Sequence, residues 1–159
     1  AFVREVLPLC DLVTPNLDEA AALSGLPIRT DADLREAARR ICRLGARAVL
    51  VTGGHGAGPR IQDLLWDGRR FRAFEHVRID TRALHGTGCV LSAAVAANLA
   101  LGHPLEEAVA RSIRYVRAAL RRGVFPGQGA GSPGHPLALT PRSRSGSRPP
   151  SMRPRRFHS

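Results

Sequence analysis

A loop with two glycines around a small hydroxyl residue, His85-Gly86-Thr87-Gly88-Cys89, feeds directly into the apolar run Val90 to Leu101. This junction limits the possible folds more than any other part of the chain. Backbone N–H groups at a helix start have no partners inside the helix and point out of it. The helix dipole adds partial positive charge at the same end. Together they form an anion site, for which phosphate is the usual guest. Cys89 stands just inside that positive end, where a thiol gives up its proton more readily than in water. A phosphate cradle beside a reactive side chain points to phosphoryl transfer.

The segments around this junction read as alternating strand and helix. Asp11 to Thr14 is a short strand stopped by Pro15. Asn16 caps a helix over Leu17 to Ser24, with Gly25 behind it. Thr30 caps a second helix, whose apolar residues Leu34, Ala37, Ala38, Ile41 and Leu44 recur at helical spacing before Gly45. Ala48 to Val51 is a buried strand, followed by a glycine-rich loop from Gly53 to Gly58. Ile61 to Trp66 and Phe71 to Phe74 flank Asp67-Gly68, a hairpin signal. A further strand is expected near Val77 to Ile79. Helices follow over Thr87 to Leu101 and from Pro104 onward, the second with an apolar stripe of Leu105, Ala108, Val109, Ile113, Val116 and Leu120. This order predicts an α/β layered sheet, with few strands for a complete domain of that type.

Charge divides the chain in two. Residues 1–125 hold 18 arginines against all 13 acidic residues, a balance of +5, and residues 126–159 add six arginines and no acid. No lysine is present. The net charge of +11 therefore overstates the basic character of the folded part and does not by itself argue for specific nucleic-acid binding. Residues 126–159 lack any periodic apolar set and are read as a disordered Arg/Pro/Ser/Gly-rich tail. Cys10, Cys42 and Cys89 have no disulfide or zinc spacing, so a reduced, cytoplasmic setting is expected. No apolar run reaches the roughly 18 residues that span a bilayer. Arg4, Glu5 and Asp11 interrupt the N-terminal apolar stretch, against a signal peptide.

Three blocks in fixed order carry a resemblance to a known family. They are Leu12-Val13-Thr14-Pro15-Asn16-Leu17-Asp18-Glu19-Ala20, Val49-Leu50-Val51-Thr52-Gly53-Gly54-His55, and His85 to Cys89 with Leu91-Ser92-Ala93-Ala94 and Asn98 to Gly102. The chain resembles the C-terminal half of a hydroxymethylpyrimidine/phosphomethylpyrimidine kinase, the thiamine-pathway branch of the ribokinase superfamily. The resemblance implies a ribokinase-like α/β/α layered sheet, without its N-terminal half, over residues 1–125. It implies ATP and Mg²⁺ as cofactors, a small pyrimidine substrate, and no membrane partner, and it leaves a homodimer open. Residue by residue, it implies that Asn16 and Glu19 organise the metal. Gly86, Thr87 and Gly88 would hold the transferred phosphoryl group, and Cys89 would accept the substrate's proton. Thr52, Gly53 and Gly54 would line the nucleotide side, with Thr52 standing where the family usually has Lys. Ala83-Leu84 likewise replaces the family's usual Asn-Thr.

Each of these residues also has a plainer reading. Asn16 and Glu19 fit a capping box. Gly86 to Gly88 fits a tight turn with no ligand, and a cysteine fits a small buried hydrophobe, the role expected of Cys10 and Cys42. Trp66 is expected to pack in the hairpin, and His55 and His85 to act as local hydrogen-bond partners. Three other functions stay open at this level. They are an inactive or split fragment of such a kinase, a pyridoxal-kinase-like relative, and nucleic-acid binding through the basic tail.

Overall fold

The computed structural model describes residues 2–53 and 58–135. Phe2–Val6 and Leu7–Leu9 form short π- and 3-10-helical turns. They are followed by helices α1 (Leu17–Ser24) and α2 (Asp31–Arg43), strands β1 (Val49–Val51), β2 (Arg60–Trp66) and β3 (Phe71–Val77), and helices α3 (Thr87–Ala100) and α4 (Leu105–Arg121).

Local chemistry sets the ends of these elements. Asn16 Oδ1 accepts from Glu19 N–H at 2.8 Å while Glu19 Oε2 accepts from Asn16 N–H at 2.9 Å, closing a reciprocal box at the start of α1. Gly25 ends that helix at φ 64°. Thr30 and Asp33 repeat the box at α2. At the hairpin, Asp67 Oδ1 accepts from both Arg69 and Arg70 N–H at 2.8 Å, and Gly68 takes φ 89°.

The sheet runs β1-β2-β3 with both pairings antiparallel. The segment before α1 runs parallel to β1, with bridges Val13 to Val49 and Asn16 to Thr52. Val13 N–H donates to Ala48 O, Leu50 N–H to Val13 O, and Thr52 N–H to Pro15 O. The separate strand expected at Val77 to Ile79 does not form. The hairpin instead pairs in full, Trp66 with Phe71 through Arg60 with Val77, so Val77 ends β3.

Helices cover both faces of the sheet. Val49, Val51 and Leu64 pack with Ala20, Leu34, Ala38 and Ile41 of α1 and α2. Leu50 and Leu65 pack with Leu91 and Val95 of α3 and with Ala108, Val109, Ile113 and Val116 of α4. β1 is buried along its whole length because successive residues serve opposite layers. Each fully buried Leu or Val contributes about 1.5–3 kcal/mol. Trp66 and Phe71 pair at the hairpin end with ring centroids 4.4 Å apart, and Arg35 and Arg39 lie over them. The hairpin-packing role read for Trp66 agrees with this. Cys42 is half-buried against the α1/α2 core, and burial pushes its thiol pKa up. Among the described residues no helix is long and apolar enough to cross a membrane.

Residues 126–135, expected to belong to a disordered tail, are held against the fold. Val124 and Ser132 exchange backbone hydrogen bonds at 2.9 and 3.0 Å, and Gly134 N–H donates to Ala119 O at 3.0 Å. Gly131 N–H donates to Arg82 O, and Gly131 O accepts from His85 N–H. Gly131, Pro133 and Gly134 are buried. The segment lacks apolar periodicity because its order comes from close backbone contact: a Cβ on Gly131 would lie 2.5 Å from the Phe125 ring, and one on Gly134 would lie 2.0 Å from Arg122 O. Residues 136–159 lie outside the described residues.

Candidate active site

The N-terminus of α3 is open. Its cap residue is Gly86 at φ 80°, with no side-chain cap and no acid in the first turn. Thr87 turns inward, its N–H and Oγ1 both donating to Leu84 O at 3.3 and 2.8 Å. The N–H groups of Gly88 and Cys89 make no hydrogen bond to protein among the described residues. A Cβ built on Gly86 or Gly88 would meet nothing within 4 Å. Two amides at the positive end of a helix of 14 residues thus have room for an anion beside them. Cys89 is an exposed free thiol at this opening, unlike the buried hydrophobe of the plainer reading.

Asn16, Glu19 and Thr52 form the facing wall. The parallel alignment of residues 13–16 with β1 brings Asn16 beside Thr52. Thr14 Oγ1 lies 2.7 Å from Ser92 Oγ, and Ser92 Oγ in turn donates to Gly88 O at 3.0 Å. This chain of hydroxyls ties the start of α1 to the first turn of α3. The capping box occupies Asn16 Oδ1 and Glu19 Oε2, so the plainer reading of this pair holds in the structure. Glu19 is exposed and lines the same cleft as Gly86, Thr87, Gly88 and Cys89. No cluster of three or more His, Cys, Asp or Glu occurs among the described residues. A lone carboxylate beside an amide side chain suits Mg²⁺, which retains most of its water.

The cleft has a volume of about 430 Å³. Thr14, Asn16, Glu19, Thr52 and the α3 opening line it together with the apolar Ile61, Val77, Ile79, Leu84, Leu91, Ile113, Val116 and Leu120, and with Asp63, His76, Arg78 and Arg117. Gly53 lies against β2 so closely that a Cβ would fall 2.1 Å from Gln62 O. Gly54 and His55 lie outside the described residues. The structure therefore joins Asn16, Glu19, Thr52, Gly86, Thr87, Gly88 and Cys89 in one cleft, although up to 73 positions separate them.

Sequence reading did not single out Thr14, Ser92, Asp63, His76, Arg78 or Arg117. The only local signal was Asp63, an acid inside an otherwise apolar strand end. Arg78 Nε donates to Gly58 O at 2.9 Å and Arg117 Nη1 to Val77 O at 2.7 Å, which brings two cations to the cleft. Guanidinium charge is thus present in the cleft that Thr52 also lines.

An open glycine turn at a helix start, lining one cleft with an Asn-x-x-Glu box in an α/β/α layered fold, places the chain in the ribokinase-like fold class. The phosphomethylpyrimidine kinase family pattern matches residues 1–134, and the chain belongs to that family. The thiamine biosynthesis bifunctional protein ThiED of Geobacter sulfurreducens is 47% identical over 135 residues, covering 85% of this chain and 28% of that protein. The hydroxymethylpyrimidine/phosphomethylpyrimidine kinase of Rhizobium meliloti is 47% identical over 138 residues, covering 85% of this chain and 52% of the relative. The solved ADP complex of Bacillus subtilis pyridoxal kinase superposes with a TM-score of 0.79 at 38% identity, over 84% of this chain and 51% of that one. The chain spans about half the length of the single-function curated relative.

Proposed function

We propose that this chain carries the phosphoryl-transfer half of an ATP- and Mg²⁺-dependent kinase acting on hydroxymethylpyrimidine and then on its monophosphate, toward thiamine diphosphate. The single observation that carries the reading is the cleft that joins the α3 opening to Asn16 and Glu19. In the reaction, the substrate hydroxymethyl oxygen forms a bond to the γ-phosphorus while the bond to the β–γ bridging oxygen breaks. ADP leaves with that bridging oxygen. The N–H groups of Gly88 and Cys89 donate to the oxygens of the phosphoryl group in transit. Loss of one such donor typically costs about 10²–10³ in rate. Cys89 Sγ receives the hydroxyl proton, a role in which a placed base contributes about 10²–10⁴. Asn16 and Glu19 would hold Mg²⁺ through its own waters, and the ion would supply positive charge against the phosphates. Thr52 and Gly53 line the nucleotide side, and Arg78 and Arg117 add positive charge to the same cleft. The ADP bound to the Bacillus relative supports a nucleotide as ligand.

A second substrate reading is favoured by that same relative, a pyridoxal kinase. Pyridoxal, like the aminopyrimidine, presents a hydroxymethyl group on a nitrogen heterocycle, so the chemistry at Cys89 is common to both. Three free cysteines support a reduced, cytoplasmic setting. Pairing into a homodimer belongs to the same proposal.

The test is transfer of labelled γ-phosphate by the purified chain, with hydroxymethylpyrimidine and pyridoxal offered separately. Label on the pyrimidine supports the first reading, and label on pyridoxal alone favours the second. Absence of transfer from a folded wild-type chain would overturn kinase activity as a property of this polypeptide.

A further inference from the structure

β2 carries a buried carboxylate at its centre. Asp63 is 5% exposed, and the next residues, Leu64 and Leu65, belong to the two core layers. Its Oδ1 accepts from Gly53 N–H at 2.9 Å. In the hairpin register Asp63 faces Phe74, so His76 is its diagonal neighbour on the same face. Asp63 Oδ2 lies 3.9 Å from His76 Nδ1, too far for a hydrogen bond. His76 Nδ1 is buried without a hydrogen-bond partner among the described residues. A buried charged acceptor is costly unless it receives hydrogen bonds. The hydrogen bond that Asp63 makes is to Gly53, the residue after Thr52 at the wall of the cleft.

We infer that Asp63 is a positioning residue for nucleotide binding: its carboxylate pins the Gly53 N–H against β2 and thereby fixes the peptide that follows Thr52 at the wall of the cleft. The inference rests on the nucleotide reading proposed above. Gly53 supports it independently. Only a residue without a Cβ can approach Gln62 O as Gly53 does, so backbone contact on one side and the Asp63 hydrogen bond on the other fix this peptide. His76 faces the remaining oxygen. Arg117 from α4 lies on the far side of His76, and Glu19, Arg78 and Cys89 are the other charged or titratable groups lining the cleft. Asp63 does not touch the α3 opening, and its effect is exerted through Gly53.

The experiment uses the 159-residue chain and two readouts: amide exchange at Gly53 and Leu50 by NMR, and titration with the ATP analogue AMP-PCP and Mg²⁺. In Asp63→Ala, Gly53 exchange rises about tenfold or more while Leu50, held by Val13 O, changes little. AMP-PCP affinity falls by a similar factor. Asp63→Asn, which keeps an acceptor oxygen, recovers most of both. Unchanged Gly53 exchange in Asp63→Ala overturns the inference. So does a loss of protection shared equally by Gly53 and Leu50, which would mark Asp63 as serving the fold alone, and so does unchanged AMP-PCP affinity. A wild-type chain that binds no AMP-PCP, with Gly53 exchange still responding as stated, removes the nucleotide reading and leaves the Gly53 anchor standing.

Discussion

Thr14 Oγ1 and Ser92 Oγ stand 2.7 Å apart across 78 positions of sequence. Thr14 precedes the Asn16–Glu19 box by two residues, and Ser92 Oγ donates to Gly88 O at the α3 opening. One contact between small hydroxyls therefore sets the width of the cleft. Thr14→Val keeps the shape and removes the hydrogen bond. It is expected to cost about 1 kcal/mol in urea unfolding and to lower kcat/KM more than stability, since the two walls are no longer tied.

Cys89→Ala separates chemistry from folding. The side chain is exposed, so stability is expected to stay within about 0.5 kcal/mol. Phosphoryl transfer is expected to fall by about 10²–10⁴, with KM for ATP little changed. Equal kcat in the variant would remove Cys89 as the base.

Two glycines near the opening are expected to resist substitution for different reasons. Gly86→Ala meets no atoms within 4 Å but must hold φ 80°, a backbone cost of about 1 kcal/mol. Gly131→Ala drives a Cβ to 2.5 Å from the Phe125 ring. Overpacking of that kind costs about 1–3 kcal/mol and would loosen the 82–85 loop that Gly131 holds. Urea midpoints for the two variants, compared with AMP-PCP affinity, test both.

Asn16→Ala removes the acceptor of the α1 box and is expected to destabilise the chain by about 0.5–2 kcal/mol. If Asn16 also helps hold Mg²⁺, the variant needs more Mg²⁺ for half-maximal activity. Asn16→Ser, which still caps, restores stability without restoring the metal dependence.

His76 gives stability a pH dependence of known sign. Burial lowers its pKa from the ordinary 6.5, Asp63 opposes that shift, and the Arg117 guanidinium adds to it. The folded state thus favours the neutral ring. That contribution is complete above pH 6.5 and is lost as the pH falls below it, because the unfolded chain takes up the proton first. Burial raises the Asp63 pKa from 3.8, so Asp63 protonates early in the folded state and offsets part of the loss toward the acid end. His76→Gln is expected to flatten the urea midpoint between pH 7 and 5.5. A wild-type curve no steeper than the variant's would contradict this.

Local hydrogen-bond chemistry made much of this legible in advance. Asn16 with Glu19, Thr30 with Asp33, and Asp67-Gly68 are each satisfied within three or four residues, and all stand where the residue types place them. The α3 and α4 boundaries followed instead from Gly86, Gly102 and Pro104, and the α3 opening could be named because its glycine turn offers no side-chain cap. Residues 126–135 were misread because their order depends on backbone contacts with Ala119, Val124 and Arg82 rather than on side-chain pattern.

The sequence alone determined where each helix starts, where the hairpin turns, and which helix end is open to an anion, since each depends on neighbours in the chain. Tertiary structure alone decided the rest. Full pairing of β3 with β2 made Asp63 and His76 diagonal neighbours, parallel alignment with β1 carried Asn16 to Thr52, and the Thr14–Ser92 contact brought both to the α3 opening. Register and layer packing join residues that have no local reason to meet, and the cleft exists only once that packing is complete.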